Sequence, residues 1–166
     1  MKKRTGLVLA LFFALGVLAL TWTSFRANVG SQPGLPHRWD GLTLTHQVIG
    51  QEALRDVARL HGQGLPLKDA SIGHYSGPSG KGQVWIGVAG SRQEAADLLQ
   101  RMTRAINQGT SPFAPPQLTR VEGQEVYSTQ GQGASHYYYL RGDRVLWVQI
   151  ESGDPQALLR EALKVF

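Results

Sequence analysis

The chain has 166 residues, no cysteine and a formal net charge of +5. At the usual size of about 100 to 200 residues per domain, this length allows one folded domain and an appendage. The lack of cysteine excludes disulfides, thiolate nucleophiles, cysteine-ligated zinc or iron–sulfur sites, and a lipid carried on cysteine.

The positive charge is concentrated at the N-terminal end. Lys2, Lys3, Arg4 and Arg26 supply four of the five net charges. A nucleic-acid-binding domain needs lysines and arginines gathered on its folded part, where they displace counterions from phosphates. The remaining cations are scattered among carboxylates, so we expect no nucleic-acid partner.

An uncharged segment near the N-terminus predicts a membrane anchor. Residues 7–20 are apolar or glycine (LVLALFFALGVLAL), and no charge lies between Arg4 and Arg26. A bilayer is crossed by about 20 residues at about 1.5 Å of rise each. Because the basic residues come first, the N-terminus should stay in the cytoplasm. We predict that residues 1–26 are a signal-anchor, a single transmembrane helix that holds residues 41–166 outside the cell membrane as an extracytoplasmic domain.

A cleaved secretory signal is the alternative interpretation of this segment. A basic start and an apolar stretch are its first two parts, but cleavage needs two small residues separated by one. Only Thr21 and Thr23 approach that pattern. Trp22 and Phe25 instead suit the interfacial aromatic belt of a retained helix. We therefore expect retention, with secretion after signal cleavage as the alternative.

The segment after the anchor predicts a tether, and the fold should begin near Trp39. Residues 27–40 contain Gly, Ser and Pro without an apolar period, which is typical of a flexible tether. Apolar and polar residues then alternate over residues 42–48, which predicts a strand. Helical spacing predicts a short amphipathic helix over residues 51–61, ended by Gly62.

A hairpin and a second helix are predicted next. Strands over about residues 69–75 and 83–89 flank a Gly-rich turn. Ser91 and Glu94 have the spacing of a capping box, which predicts the start of a helix that continues to Gly109.

The C-terminal half predicts an antiparallel meander and a last helix. Its breakers are Glu122-Gly123, Gly131-Gln132-Gly133 and Gly142-Asp143, and connections this short join antiparallel neighbours. Asp154-Pro155 predicts an N-cap followed by proline in the first turn. The four predicted strands cover residues 117–121, 125–130, 135–140 and 145–151.

The predicted element order is β-α-β-β-α-β-β-β-β-α. We expect an α+β fold with a mostly antiparallel sheet and helices on one face. The first part of the order matches a split β-α-β, ferredoxin-like core, which the meander would extend.

The chain lacks a complete motif for phosphate binding. Gly80-Lys81 is followed by glycine and a strand, whereas a Walker loop needs Ser or Thr and a helix.

A motif for a serine nucleophile is also missing, since no Gly-x-Ser-x-Gly occurs. Ser135 and His136 are consecutive strand residues, so their side chains point to opposite faces. Carboxylates such as Glu94 and Asp154 fall at helix caps. We therefore expect no enzymatic activity.

Three histidines on predicted strands are the candidate ligands for a metal. His46, His74 and His136 would make a zinc or copper site if all three shared one face. No short pair such as His-x-His accompanies them. We expect no metal and no cofactor, and we retain as the alternative function a small metal-binding or hydrolytic enzyme that uses these histidines.

The run Tyr137-Tyr138-Tyr139 is the most distinctive local composition. On a strand, Tyr137 and Tyr139 share one face and Tyr138 points the other way. If that face is uncovered, Tyr137 and Tyr139 are candidate ligand-binding residues on an aromatic surface. The competing interpretation is that the tyrosines shield the sheet and keep their hydroxyls in water.

These observations favour a non-enzymatic domain that is tethered to the membrane and binds a protein or envelope component. A role as an accessory subunit of a membrane complex is a further hypothesis.

Overall fold

The structure is a computed structural model that describes residues 34–61, 65–109 and 111–166. Residues Leu35–Phe166 form one compact unit, in which the described residues make eight strands and three helices. In chain order these are β1 (Arg38–Trp39), β2 (Leu42–Ile49), α1 (Gly50–His61), β3 (Leu67–Gly77), β4 (Gly80–Ala89), α2 (Arg92–Asn107), β5 (Gln117–Val121), β6 (Gln124–Gly131), β7 (Ala134–Arg141), β8 (Arg144–Ser152) and α3 (Pro155–Val165).

The strands form a single antiparallel sheet in the order β1-β2-β3-β4-β8-β7-β6-β5. Two-residue turns join the strands of the meander. Glu122 and Gly123 both have positive φ, as do Gln132 and Gly133, which is the signature of the type I′ turns that suit the twist of a hairpin. An α+β fold with a mostly antiparallel sheet is therefore confirmed.

Helices cover both faces of the sheet. α1 and α2 pack on the face that carries Ile72 and Trp85, which we call the helix-pair face. α3 packs on the opposite face against Leu146 and Val148, which we call the α3 face. The prediction that the helices lie on one face is wrong because β4 and β8 carry large apolar residues at successive positions, so both of their faces must be buried.

A ferredoxin-like core is not confirmed. β2 and β3 flank α1 and are antiparallel neighbours, with His46 opposite His74. A split β-α-β unit instead joins parallel strands that have another strand between them. The chain also has an additional short strand, β1, ahead of the predicted order.

The predicted anchor and the predicted cap Gly62 lie outside the described residues. Within the part of the chain that the structure describes, no helix is long and apolar enough to span a membrane.

Two of the helices begin with the predicted caps. Ser91 Oγ accepts from Glu94 N at 3.1 Å, and Asp154 Oδ1 accepts from the amides of Gln156 and Ala157. The return bond of the capping box differs from its usual form. Glu94 Oε2 accepts from Gly90 N at 2.9 Å, one residue before the cap, so the connection from β4 into α2 is held by this side chain.

Trp39 joins the first strand to the last helix. It is fully buried, and its Nε1 donates to Leu158 O in α3 at 2.8 Å. Its ring meets Tyr75 and Phe166 edge-on, with centroids 5.5 and 5.6 Å apart. A Cβ at Gly82 would lie 2.6 Å from this ring, so only glycine leaves room for it. The packed structure therefore begins ahead of residue 41, within the segment predicted as a tether.

Replacing Trp39 tests this contact. Trp39→Ala should lower the free energy of unfolding by about 3 to 5 kcal/mol, because it removes a buried ring and leaves a cavity beneath α3. The matched control is Leu118→Ala, since Leu118 is 55% exposed and should change stability by less than about 0.5 kcal/mol. Denaturant unfolding of both variants measures the difference, and equal losses would contradict the role of Trp39.

Candidate binding surface

Polar side chains form a row across the helix-pair face. Each member of the row is the register partner of the next, from β2 through β3, β4, β8 and β7 to β6. α1 and α2 pack against the neighbouring positions on these strands, which leaves the row beside the helices. We call it the polar row, and its members are His46, His74, Gln83, Gln149, His136 and Thr129.

The row differs in exposure from one end to the other. His46 is exposed, while His74, Gln83 and Gln149 are half-buried. Gln149 Nε2 donates to Glu151 Oε1 at 3.2 Å, so a carboxylate lies beside the central part of the row. The exposed part of the polar row, from His46 to the half-buried Gln149, therefore offers hydrogen-bond donors and acceptors, with one negative charge at its margin.

His46 and His74 lie side by side on adjacent strands. Their ring centroids are 5.6 Å apart, and a bulge between Leu44 and His46 sets the register that pairs them. The same bulge sends Leu44 to the opposite face, where it packs with the α3 core, so Leu44 and His46 do not share a face as the alternation predicted. Burial lowers the pKa of His74 and neighbouring His46 lowers it further, while Glu151 opposes the shift.

His74 contacts Gln83, its register partner on β4, through its ring. Gln83 Nε2 lies 3.2 Å from His74 Nε2. One ring nitrogen of His74 therefore lies within the polar row.

His136, in contrast, is buried in the core, and both of its ring nitrogens are hydrogen-bonded. It is 1% exposed, and Phe113 packs edge-on against its ring at 4.8 Å. Trp147 Nε1 donates to His136 Nδ1 at 3.1 Å, and His136 Nε2 lies 3.0 Å from Gly131 O. An indole N–H only donates and a carbonyl only accepts, so the proton is on Nε2 and the ring is neutral. Burial lowers the pKa of His136, although the bond to Gly131 opposes the shift.

An aromatic row runs parallel to the polar row, beneath α2. Tyr127 stacks on Tyr138 with centroids 5.0 Å apart, and Tyr138 stacks on Trp147 at 5.1 Å. Trp85 is the register partner of Trp147 on the next strand. Tyr138 OH donates to Thr103 Oγ1 in α2 at 3.2 Å. These contacts make the floor of the helix-pair face stiff.

A small apolar cleft opens between α1 and α2 above this floor. Its volume is about 50 Å³, and its lining is almost entirely hydrocarbon and aromatic. We call it the interhelix cleft. It is lined by Val57, His61, Leu65, Leu67, Trp85, Gly87, Leu98, Met102, Val145 and Trp147.

Tyr137 and Tyr139, the candidate ligand-binding residues, lie on the α3 face and are covered. They are 5% and 0% exposed, and Tyr139 OH donates to Ala162 O in α3 at 3.4 Å. Burial raises the pKa of both hydroxyls. No uncovered aromatic surface exists at these two positions, because α3 packs over them. Tyr138, which points the other way as predicted, belongs to the aromatic row.

Metal ligands converge only as a pair. Among the described residues, no group of three or more His, Asp or Glu side chains is arranged to hold a metal ion. His46 and His74 are brought together, whereas His136 occupies the same row with both ring nitrogens already hydrogen-bonded.

Comparisons of the chain with protein-family models, with curated proteins and with solved structures gave no match. Functional inference for this chain therefore depends on the geometry of its own side chains.

The lowered pKa of the buried His136 imidazole predicts that the stability of the fold depends on pH. The unfolded chain takes up a proton on this residue near pH 6.5, whereas the folded chain resists it, so stability should fall as the pH drops below about 6.5 until the folded-state pKa is passed. Each unit of pKa depression contributes at most about 1.4 kcal/mol.

The variant His136→Gln isolates this effect. A glutamine can accept from Trp147 and donate to Gly131 but does not titrate, so its unfolding free energy should fall less steeply than that of the wild type between pH 7 and 5. Chemical unfolding at several pH values measures both slopes, and parallel slopes would rule out His136 as the titrating group.

Proposed function

We propose that this chain is a non-enzymatic binding domain, held on the outer face of the cell membrane by residues 1–26, and that it binds a protein or envelope component through its helix-pair face. The observation that carries the proposal is the position of the interhelix cleft directly beside the exposed part of the polar row.

The two features share the same strands. Trp85 and Trp147 line the cleft, and Gln83 and Gln149 lie two residues away on the same face of β4 and β8. Side chains at this spacing are about 7 Å apart. One ligand can therefore place an apolar group in the cleft and form hydrogen bonds with the two glutamines.

Such a combination is typical of recognition sites. Binding energy comes mainly from an apolar or aromatic anchor in a desolvated recess, and a polar rim sets orientation and excludes water. The stacked rings of Tyr127, Tyr138 and Trp147 hold the floor in place, which lowers the entropic cost of binding.

The contacts of His136 and Ser135 argue against a hydrolytic pair at these two positions. A hydrolytic mechanism needs an imidazole that is free to take a proton from a nucleophile. Both ring nitrogens of His136 are hydrogen-bonded to other groups, and Ser135 Oγ accepts from Gln130 Nε2 at 3.1 Å instead of meeting an imidazole.

A single charged substitution in the lining of the interhelix cleft tests binding there. Met102→Arg places a guanidinium at the half-buried lining of the cleft and should abolish capture of the partner. The matched control is Gln100→Arg, which adds the same charge to an exposed position of α2 and should leave capture unchanged. The measurement is affinity capture of the full chain from its native membranes, with the recovered components compared by mass spectrometry. If Met102→Arg recovers the same components as wild type, binding through the cleft is refuted.

The membrane location has its own test. The full chain should sediment with membranes, resist an alkaline carbonate wash and retain residues 1–26 in an intact-mass measurement, because an apolar helix of this length partitions into the bilayer. A soluble mature chain that starts near residues 24–31 would show instead that the segment is a cleaved signal.

A further inference from the structure

We propose that His46 and His74 form a binding site for one divalent transition-metal ion, with Cu²⁺ bound more tightly than Zn²⁺, and with water filling the remaining coordination positions. The site goes beyond the proposed binding function and does not depend on it, since the metal alone is its ligand.

The spacing of the two rings suits a shared metal. With a metal–nitrogen distance of about 2.0 to 2.1 Å, two imidazoles on neighbouring coordination positions have centroids about 4.5 to 5.2 Å apart. The observed separation is 5.6 Å. The excess is about 0.4 to 1.1 Å, and it can be closed by rotating the exposed side chain of His46, since histidine χ2 has a broad rotamer well.

One ring nitrogen of His74 lies at a contact that a metal ion can replace. His74 Nε2 is 3.2 Å from Gln83 Nε2, and the metal would take the place of that amide. His46 is exposed and free to orient.

The surroundings of the pair favour a cation. Glu151 interacts electrostatically with His74, and its carboxylate is held beside the row by Gln149 at 3.2 Å. A negative charge close to two imidazoles stabilises a bound divalent ion.

The number of ligands sets the metal preference. Because the described residues offer a pair of imidazoles and no larger group, selectivity should follow the intrinsic affinities of nitrogen ligands, in which Cu²⁺ exceeds Ni²⁺ and Zn²⁺. A dedicated zinc site would need three or four protein ligands.

Calorimetric titration of the full chain in detergent micelles with CuCl₂, and separately with ZnCl₂, tests the site. The wild type should bind one Cu²⁺ per chain, and His46→Gln and His74→Gln should each weaken binding at least tenfold. His37→Gln is the matched control, since His37 is exposed beside β1 and should bind as the wild type does.

Thermal unfolding without metal verifies that each variant is folded, and His46→Gln should fold normally because His46 is exposed. Failure of the wild type to bind Cu²⁺, or equal binding by folded His46→Gln and wild type, would overturn the proposal. Stronger binding of Zn²⁺ than of Cu²⁺ would overturn the two-ligand assignment.

Discussion

The two-sided burial of β4 and β8 is the constraint on which the rest of the structure depends. Trp85 and Trp147 face one layer of helices, and Val84 and Val148, next to them in sequence, face the other. Neither face of these central strands can be left in water, so α1 and α2 must cover one side and α3 the other. The polar row follows from the same constraint, because it lies where the helices of the first layer end.

Local chemistry in the sequence predicted most elements, and pairing between distant segments accounts for what it missed. The alternation that placed Tyr137 with Tyr139, the cap at Asp154 and the two-residue turns all depend on neighbours in the chain. The position of α3 over the tyrosines depends on where a helix docks, which periodicity does not specify. Apolar residues on both sides of Trp85 and Trp147 were a readable signal that both faces are buried.

The candidate site was only partly predictable for the same reason. His46, His74 and His136 were recognisable as strand residues, but only the register of five strands shows that they share one row. The bulge between Leu44 and His46 places these two side chains on opposite faces of the sheet, although simple alternation would place them on the same face. No residue type in that stretch predicts the bulge. Nothing in the sequence predicted that Gln83 and Gln149 belong to the candidate site, since single glutamines are common on strands.

The junction at Trp39 determines how the domain would carry a mechanical load. A pull on the chain ahead of Leu35 reaches the domain at Leu35 and at Pro36, whose carbonyl accepts from Tyr75 OH, and then at the Trp39 ring between Gly82 and α3. Tension there is transmitted to the C-terminal helix through the bond to Leu158 and the contact with Phe166, and not to the edge strand alone. The first and last elements of the fold should therefore yield together, at a single rupture force, while the helix-pair face lies on the other side of the sheet from this load path.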